Sequence, residues 1–254
     1  MKNISKALLI TALFGGVSLG LTSVAHADLV VNGSFESTGT SLSTWTGGST
    51  VGPTGWNSSG YNFLFTPGSA DTTGVNGVDG NLKLWGPNDG SNNGLPATSP
   101  DGGNYIGADG AYSVGAITQT LSGLTIGQTY AVSFYYAAAQ QSGYTSTTTE
   151  GWTVGLGGSA KQNVDITTAG SPLPSHGFSG WISTTLDFTA DSTSDVLSFL
   201  AYGTPSSEPP FSLLDGVSVD AVAAPEPSSL IGGGLVLLAL GGSSLLRFRK
   251  QKQA

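Results

Sequence analysis

A strict two-residue period over residues 130–137 constrains this chain more than any other feature. Tyr130, Val132, Phe134 and Tyr136 fall on one face of an extended segment, and Ala131, Ser133, Tyr135 and Ala137 on the other, the pattern of a strand and not of a helix. Similar short alternating runs return in "GWTVGLGG" (151–158) and "WISTTLDFTADSTSDVLSFLAYG" (181–203). The stretch "AITQTLSGLTIGQTYAVSFYYAAA" (116–139) reads as a central hairpin, two strands joined by a glycine-containing turn from Gly123 to Gln128. "DLVVNGSFE" (28–36) and "FSLLDGVSVDAV" (211–222) read as first and last strands lying side by side, which brings Glu36 towards Asp215. Many short strands with glycine-rich turns predict an all-β fold, a β-sandwich over residues 28–222.

The chain has no cysteine, so neither disulfides nor thiolate metal sites contribute and the core alone must hold the fold. About 200 residues suffice for that. Residues 28–224 carry fifteen acids against only Lys83 and Lys161, a formal charge of −13. Nucleic acid is excluded as a partner, because phosphate binding needs clustered Lys and Arg.

The two ends differ from the middle. "MKNISKALLITALFGGVSLGLTSVAHA" has two lysines, an apolar run and the small-residue ending Ala25-His26-Ala27, the three parts of a secretory signal peptide over 1–27, to be removed by signal peptidase before Asp28. At the other end, 230–246 is a run of seventeen uncharged residues, just long enough for a transmembrane helix. A basic tail, 247–254, follows it and is expected to stay cytoplasmic. A linker, 223–229, precedes it and holds Pro225-Glu226-Pro227, where the prolines keep the backbone extended and off the helix.

Pro225, Glu226 and Pro227, one apolar span, then Arg247 and Arg249 resemble the PEP-CTERM sorting signal of Gram-negative bacteria that make exopolysaccharide. That resemblance covers 225–250 and implies recognition by an exosortase-type processing enzyme. The protein would be held in the membrane through the C-terminal helix, then placed at the cell surface or in the extracellular matrix. The middle resembles jelly-roll domains of the galactose-binding-like and carbohydrate-binding-module type, on "NGSFE", "PDGGNYIGADG", "QTLSGLTIGQTYAVSFYYA" and "LLDGVSV". Such relatives often hold one structural calcium ion, so the resemblance implies Glu36 and Asp215 as ligands, although many carry two adjacent acids where this chain has Asp215-Gly216. The alternative is a turn-capping Glu36 and an Asp215 in a polar loop.

No catalytic residues emerge, and an enzyme is not expected. The G-x-S-x-G match at Gly16–Gly20 lies in the signal peptide, His176 is a lone loop histidine, and nothing fixes the separation of Glu150 from Asp165. The loop 74–110 lacks the spaced acids of an EF-hand and reads as turn chemistry. Of the five tryptophans, Trp85 is the expected ligand-binding residue, because its glycine- and asparagine-rich surroundings promise little burial. The functional expectation is a structural or adhesive component associated with exopolysaccharide. The alternative is a carbohydrate-binding module with a specific glycan ligand.

Overall fold

The computed structural model describes residues 28–45, 49–77 and 80–223. The expected signal peptide, sorting motif, transmembrane span and basic tail lie outside the described residues. No helix among the described residues is long and apolar enough to cross a membrane.

Among the described residues, two five-stranded antiparallel sheets face each other, and two small ribbons bring the strands to fourteen. The first sheet runs β11 (Gln162–Asp165), β10 (Thr149–Leu156), β13 (Ser194–Thr204), β8 (Ile117–Ser122) and β3 (Asn57–Ser58). The second runs β12 (Ile182–Thr189), β9 (Thr129–Gln140), β14 (Pro210–Ala221), β7 (Tyr105–Asp109) and β4 (Asn62–Phe65). The ribbons pair β1 (Thr38–Trp45) with β2 (Ser49–Pro53), and β5 (Val75–Gly77) with β6 (Gly80–Leu82). Successive long strands pass between the sheets in the jelly-roll manner. Trp56, Val132, Phe134, Trp152, Phe199 and Val219 fill the space between them.

The predicted alternation holds along β9 as far as Tyr136, and then stops: from Tyr136 to Gln140 every residue is buried. The cause is a roof. Leu82, Leu84 and Leu95 from the long 66–104 connection pack with Phe63, Phe65, Tyr105, Ala137, Ala139, Phe211 and Leu213 on the outer face of the second sheet. That face has its own apolar cluster, so strands beneath it are apolar on both sides.

Two expectations need correction. β8 and β9 are not a hairpin: β8 pairs with β13 and β3, whereas β9 pairs with β12 and β14, so the Gly123–Gln128 turn crosses from one sheet to the other. Residues 28–36 form no strand either. They lie beside β14 as expected, through Leu29 N–H to Val219 O (3.3 Å) and Val217 N–H to Gly33 O (3.0 Å). However, Asn32 and Phe35 sit at φ 56° and 57°, and the Asn32 side chain bonds Ser37 and Thr54. Local side-chain bonding has displaced the ladder.

Candidate functional site

Four separated stretches converge at one end of the sandwich. Tyr61 precedes β4, Asp109 ends β7 with Tyr112 just beyond, Gln141 and Tyr144 follow β9, and Ser206, Ser207 and Pro209 lie between β13 and β14. They line a pocket of about 170 Å³. Its floor is stitched by the backbone: Asp109 N–H to Tyr61 O (3.1 Å), Tyr61 N–H to Ser113 O (2.9 Å), Gly110 N–H to Pro210 O (2.9 Å) and Gly203 N–H to Gly110 O (3.1 Å). Gly110 is required there, since a Cβ would press on the Tyr202–Gly203 peptide, 2.6 Å from Gly203 N. On the far wall Glu208 accepts N–H bonds from Thr145 (3.0 Å) and Ser146 (3.1 Å), tying the 141–148 loop to the 204–210 loop.

Two kinds of surface meet in this pocket. Tyr61 and Tyr112 stand edge to face, with ring centroids 5.0 Å apart, and Tyr112 is 51 % exposed. Asp109 is buried, and its Oδ1 accepts the N–H groups of Ala111 (2.8 Å) and Tyr112 (3.0 Å). Burial raises its pKa and those two N–H bonds oppose the rise. Aromatic faces beside a fixed acceptor and the Gln141, Ser206 and Ser207 side chains suit a ligand that is apolar on its faces and hydroxylated at its edge.

Trp85 lies behind this pocket. Its Nε1–H bonds Tyr144 O at 2.8 Å and its half-buried ring packs on His176 at 4.0 Å, so it braces the wall that carries Tyr144. His176 is thereby half-buried and not solvated.

Asp215 lies against the 99–104 segment of the roof, which also holds Glu36 through Asn104, and the charge of Glu36 acts on it. β14 carries a bulge after Asp215, where the pairing shifts from Asp215 with Tyr135 to Ser218 with Ser133, and Gly216 takes the left-handed φ of 57° that such a bulge needs. Asp215 is fully buried, with Oδ2 bonded by Ser99 Oγ and Oδ1 without a partner. Its pKa is pushed up to about 8, first by burial and then by the charges of Asp101 and Glu36, against bonds from Ser99 and the Gly216 N–H. Glu36 Oε1 accepts the Asn104 N–H. The charge of Asp101 acts on Asp215 as well, although "SPDGG" reads in the sequence as turn chemistry alone. Among the described residues no group of three or more His, Cys, Asp or Glu side chains is ready to hold a metal; here backbone carbonyls would have to complete the six to eight oxygens that calcium takes.

Glu150 and Asp165 do not form a pair of acids across one cleft. Asp165 lies opposite Gly151 on β10, is exposed and accepts the Tyr202 hydroxyl at 2.5 Å, whereas Glu150 is fully buried.

No family model matches this chain. Over 222 residues it is 29% identical to Halomucin of Haloquadratum walsbyi, a match that covers 83% of this chain but 2% of that protein's length. Among solved structures it is similar to TmCBM61 in complex with β-1,4-galactotriose, at 13% identity and a TM-score of 0.40 over 78% of this chain and 100% of that one. It is similar also to the CBM22-1 xylan-binding domain of Xyn10C from Paenibacillus barcinonensis, at 14% identity and TM-score 0.35 over 78% and 97%. A Stig cyclase from Fischerella sp. TAU gives 16% identity and TM-score 0.46 over 78% and 99%. Likeness at these levels says nothing of what this chain binds.

Proposed function

We propose that this is an exported surface or matrix protein whose sandwich binds glycan at the tyrosine-lined pocket, and that it is not an enzyme. The pairing of an exposed Tyr112 with a buried Asp109 in one pocket carries this reading. At about 170 Å³, the pocket falls below the roughly 300–1,000 Å³ of sites that enclose a drug-sized ligand. It therefore suits a single ring or a chain end and not a long polymer segment. Trp85 contributes from behind, by holding Tyr144. A glycan array with the purified protein should give hits that Tyr112→Ala removes and that Trp85→Ala weakens. Hits that survive Tyr112→Ala would contradict the site.

Delivery rests on the chain's two ends. Removal of 1–27 by signal peptidase, insertion of 230–246 and processing near Pro225-Glu226-Pro227 by an exosortase-type enzyme would place the domain among exopolysaccharide. Peptide mapping of the protein from its own cell should find the chain ending near Glu226 outside the membrane. An intact Arg247–Arg249 tail found only in membranes would instead mean permanent anchorage.

Calcium at Glu36 and Asp215 belongs to the same reading, and the buried Oδ1 of Asp215 and the nearby Asp101 support it. Occupancy at one hundred times Kd stabilises by about 2.7 kcal/mol, which is several degrees in Tm for a domain of this size. Millimolar calcium should raise Tm, and Asp215→Ala should cancel this site's share. An equal rise with and without Asp215 would remove the assignment.

A further inference from the structure

The charge around the tyrosine-lined pocket narrows what it can hold. Three of the eight residues lining it are tyrosines and none is basic. Asp109 brings a carboxyl group that is 2 % exposed, and the two N–H groups it accepts, from Ala111 and Tyr112, are neutral donors that both fall on Oδ1. Glu208, on the far wall, adds a second acid whose pKa the Ser146 and Thr145 N–H groups hold below the usual carboxylate range. Both lysines of the domain are committed elsewhere. Lys83 pairs with Asp89, the one ion pair among the described residues. Lys161 packs over Gly155, at the opposite end of β10 from Thr149, whose partner Thr204 adjoins the pocket loop. No arginine occurs between residues 28 and 224.

A sugar carboxylate or sulfate would therefore lose its water beside like charges, with no cation to offset the cost. An ammonium group meets the reverse situation. It finds an acceptor in Asp109, and the ring faces of tyrosines attract a cation within about 6 Å of their centroids. Tyr61 and Tyr112 stand 5.0 Å apart, Tyr112 is exposed, and half-buried Tyr144 lines the same pocket. A bare metal ion is a poorer occupant, because Asp109 is the one carboxylate among the lining residues and calcium takes six to eight oxygens.

We infer, on top of the glycan reading of this pocket, that it selects sugars carrying a free amino group, held as the ammonium by Asp109 and the tyrosine faces, and rejects uronic and sulfated sugars. At about 170 Å³ the pocket has room for one such ring, so selection falls on a chain end or a branch. Acetylation of the amine removes its charge, and with it both the pairing with Asp109 and the attraction to the rings.

The test is calorimetric titration of the purified protein at pH 6.5 with trisaccharides of glucosamine, N-acetylglucosamine and galacturonic acid. The free amine is expected to bind at least tenfold more tightly than its acetylated form, and the galacturonic acid trisaccharide not at all. The preference should fade as pH rises through the pKa of the amine, near the roughly 7.7–8.0 of an α-amino group. Asp109→Asn should bring the ratio of the first two affinities to about one, whereas Tyr112→Ala should weaken both. Equal affinity for the amine and its acetylated form, or binding of the galacturonic acid trisaccharide, with Tyr112→Ala still weakening binding, overturns this inference and leaves the glycan pocket standing. A preference that survives Asp109→Asn also overturns it, because the domain charge of −13 is then the cause. Amino-sugar binding untouched by Tyr112→Ala removes the pocket and the inference together. Choline chloride bound as tightly as the glucosamine trisaccharide would mean that the cation alone is recognised, and overturns the sugar assignment.

Discussion

Glu150→Gln is expected to stabilise the protein at pH 8 by about 3 kcal/mol and to leave it unchanged at pH 4.5. Glu150 is 0 % exposed. Its Oε2 accepts the Thr167 hydroxyl while Oε1 has no partner. Burial pushes its pKa up to about 7 from an ordinary 4.5, against the hydrogen bond from Thr167. The folded chain therefore binds more protons than the unfolded chain between those two values. Stability from this group is complete below pH 4.5 and is lost as pH rises through 7. A glutamine keeps the shape of the protonated acid and cannot ionise, so the variant escapes that loss. Urea unfolding of both proteins across this range gives the difference directly, without interference from other acids whose pKa values are raised. A difference that stays flat with pH would mean Glu150 is hydrated in solution.

Tyr112→Ala and Asp109→Asn should each weaken glycan binding about tenfold or more, with little change in fold. Tyr112 loses an aromatic face worth about 1 kcal/mol beyond its buried area. Asp109 loses charge-assisted bonds to sugar hydroxyls, each worth roughly 1.5–3 kcal/mol. Its carboxylate still fixes the Ala111 and Tyr112 N–H groups in the free protein, and an asparagine oxygen can take over that bonding. Because burial raises the pKa of Asp109, binding should weaken on acidification as the carboxylate takes up its proton. Isotherms for wild type and both variants at two pH values separate the charge from the stacking.

The strands were legible because alternation and glycine turns are local properties. Tyr130, Val132, Phe134 and Tyr136 point into the core as their spacing requires. Partnership is not local, and the hairpin expected over 116–139 fails for that reason: the sequence of Gly123–Gln128 suits a turn within a sheet and one between sheets alike. The roof over Ala137 and Ala139 is hidden in the sequence, since 74–110 shows turn chemistry and its apolar residues are only the short Leu82–Leu84 run and a distant Leu95. Glu36 and Asp215 came to view through resemblance, whereas Asp101 needed the fold. The pocket could not be read at all: Tyr61, Asp109, Tyr144 and Ser206 are far apart in the chain, and only the order of strands at that end collects them. Trp85 drew attention by composition, yet its indole N–H is committed to Tyr144 O.

The central claim is that the tyrosine pocket is where glycan binds. Amide chemical shifts of the isotope-labelled protein, followed as an oligosaccharide hit from the array is added, test it most directly. The account predicts shifts concentrated at Asp109, Ala111, Tyr112, Tyr144, Ser206 and Ser207. Shifts gathered elsewhere, or none with a glycan that demonstrably binds, would contradict it.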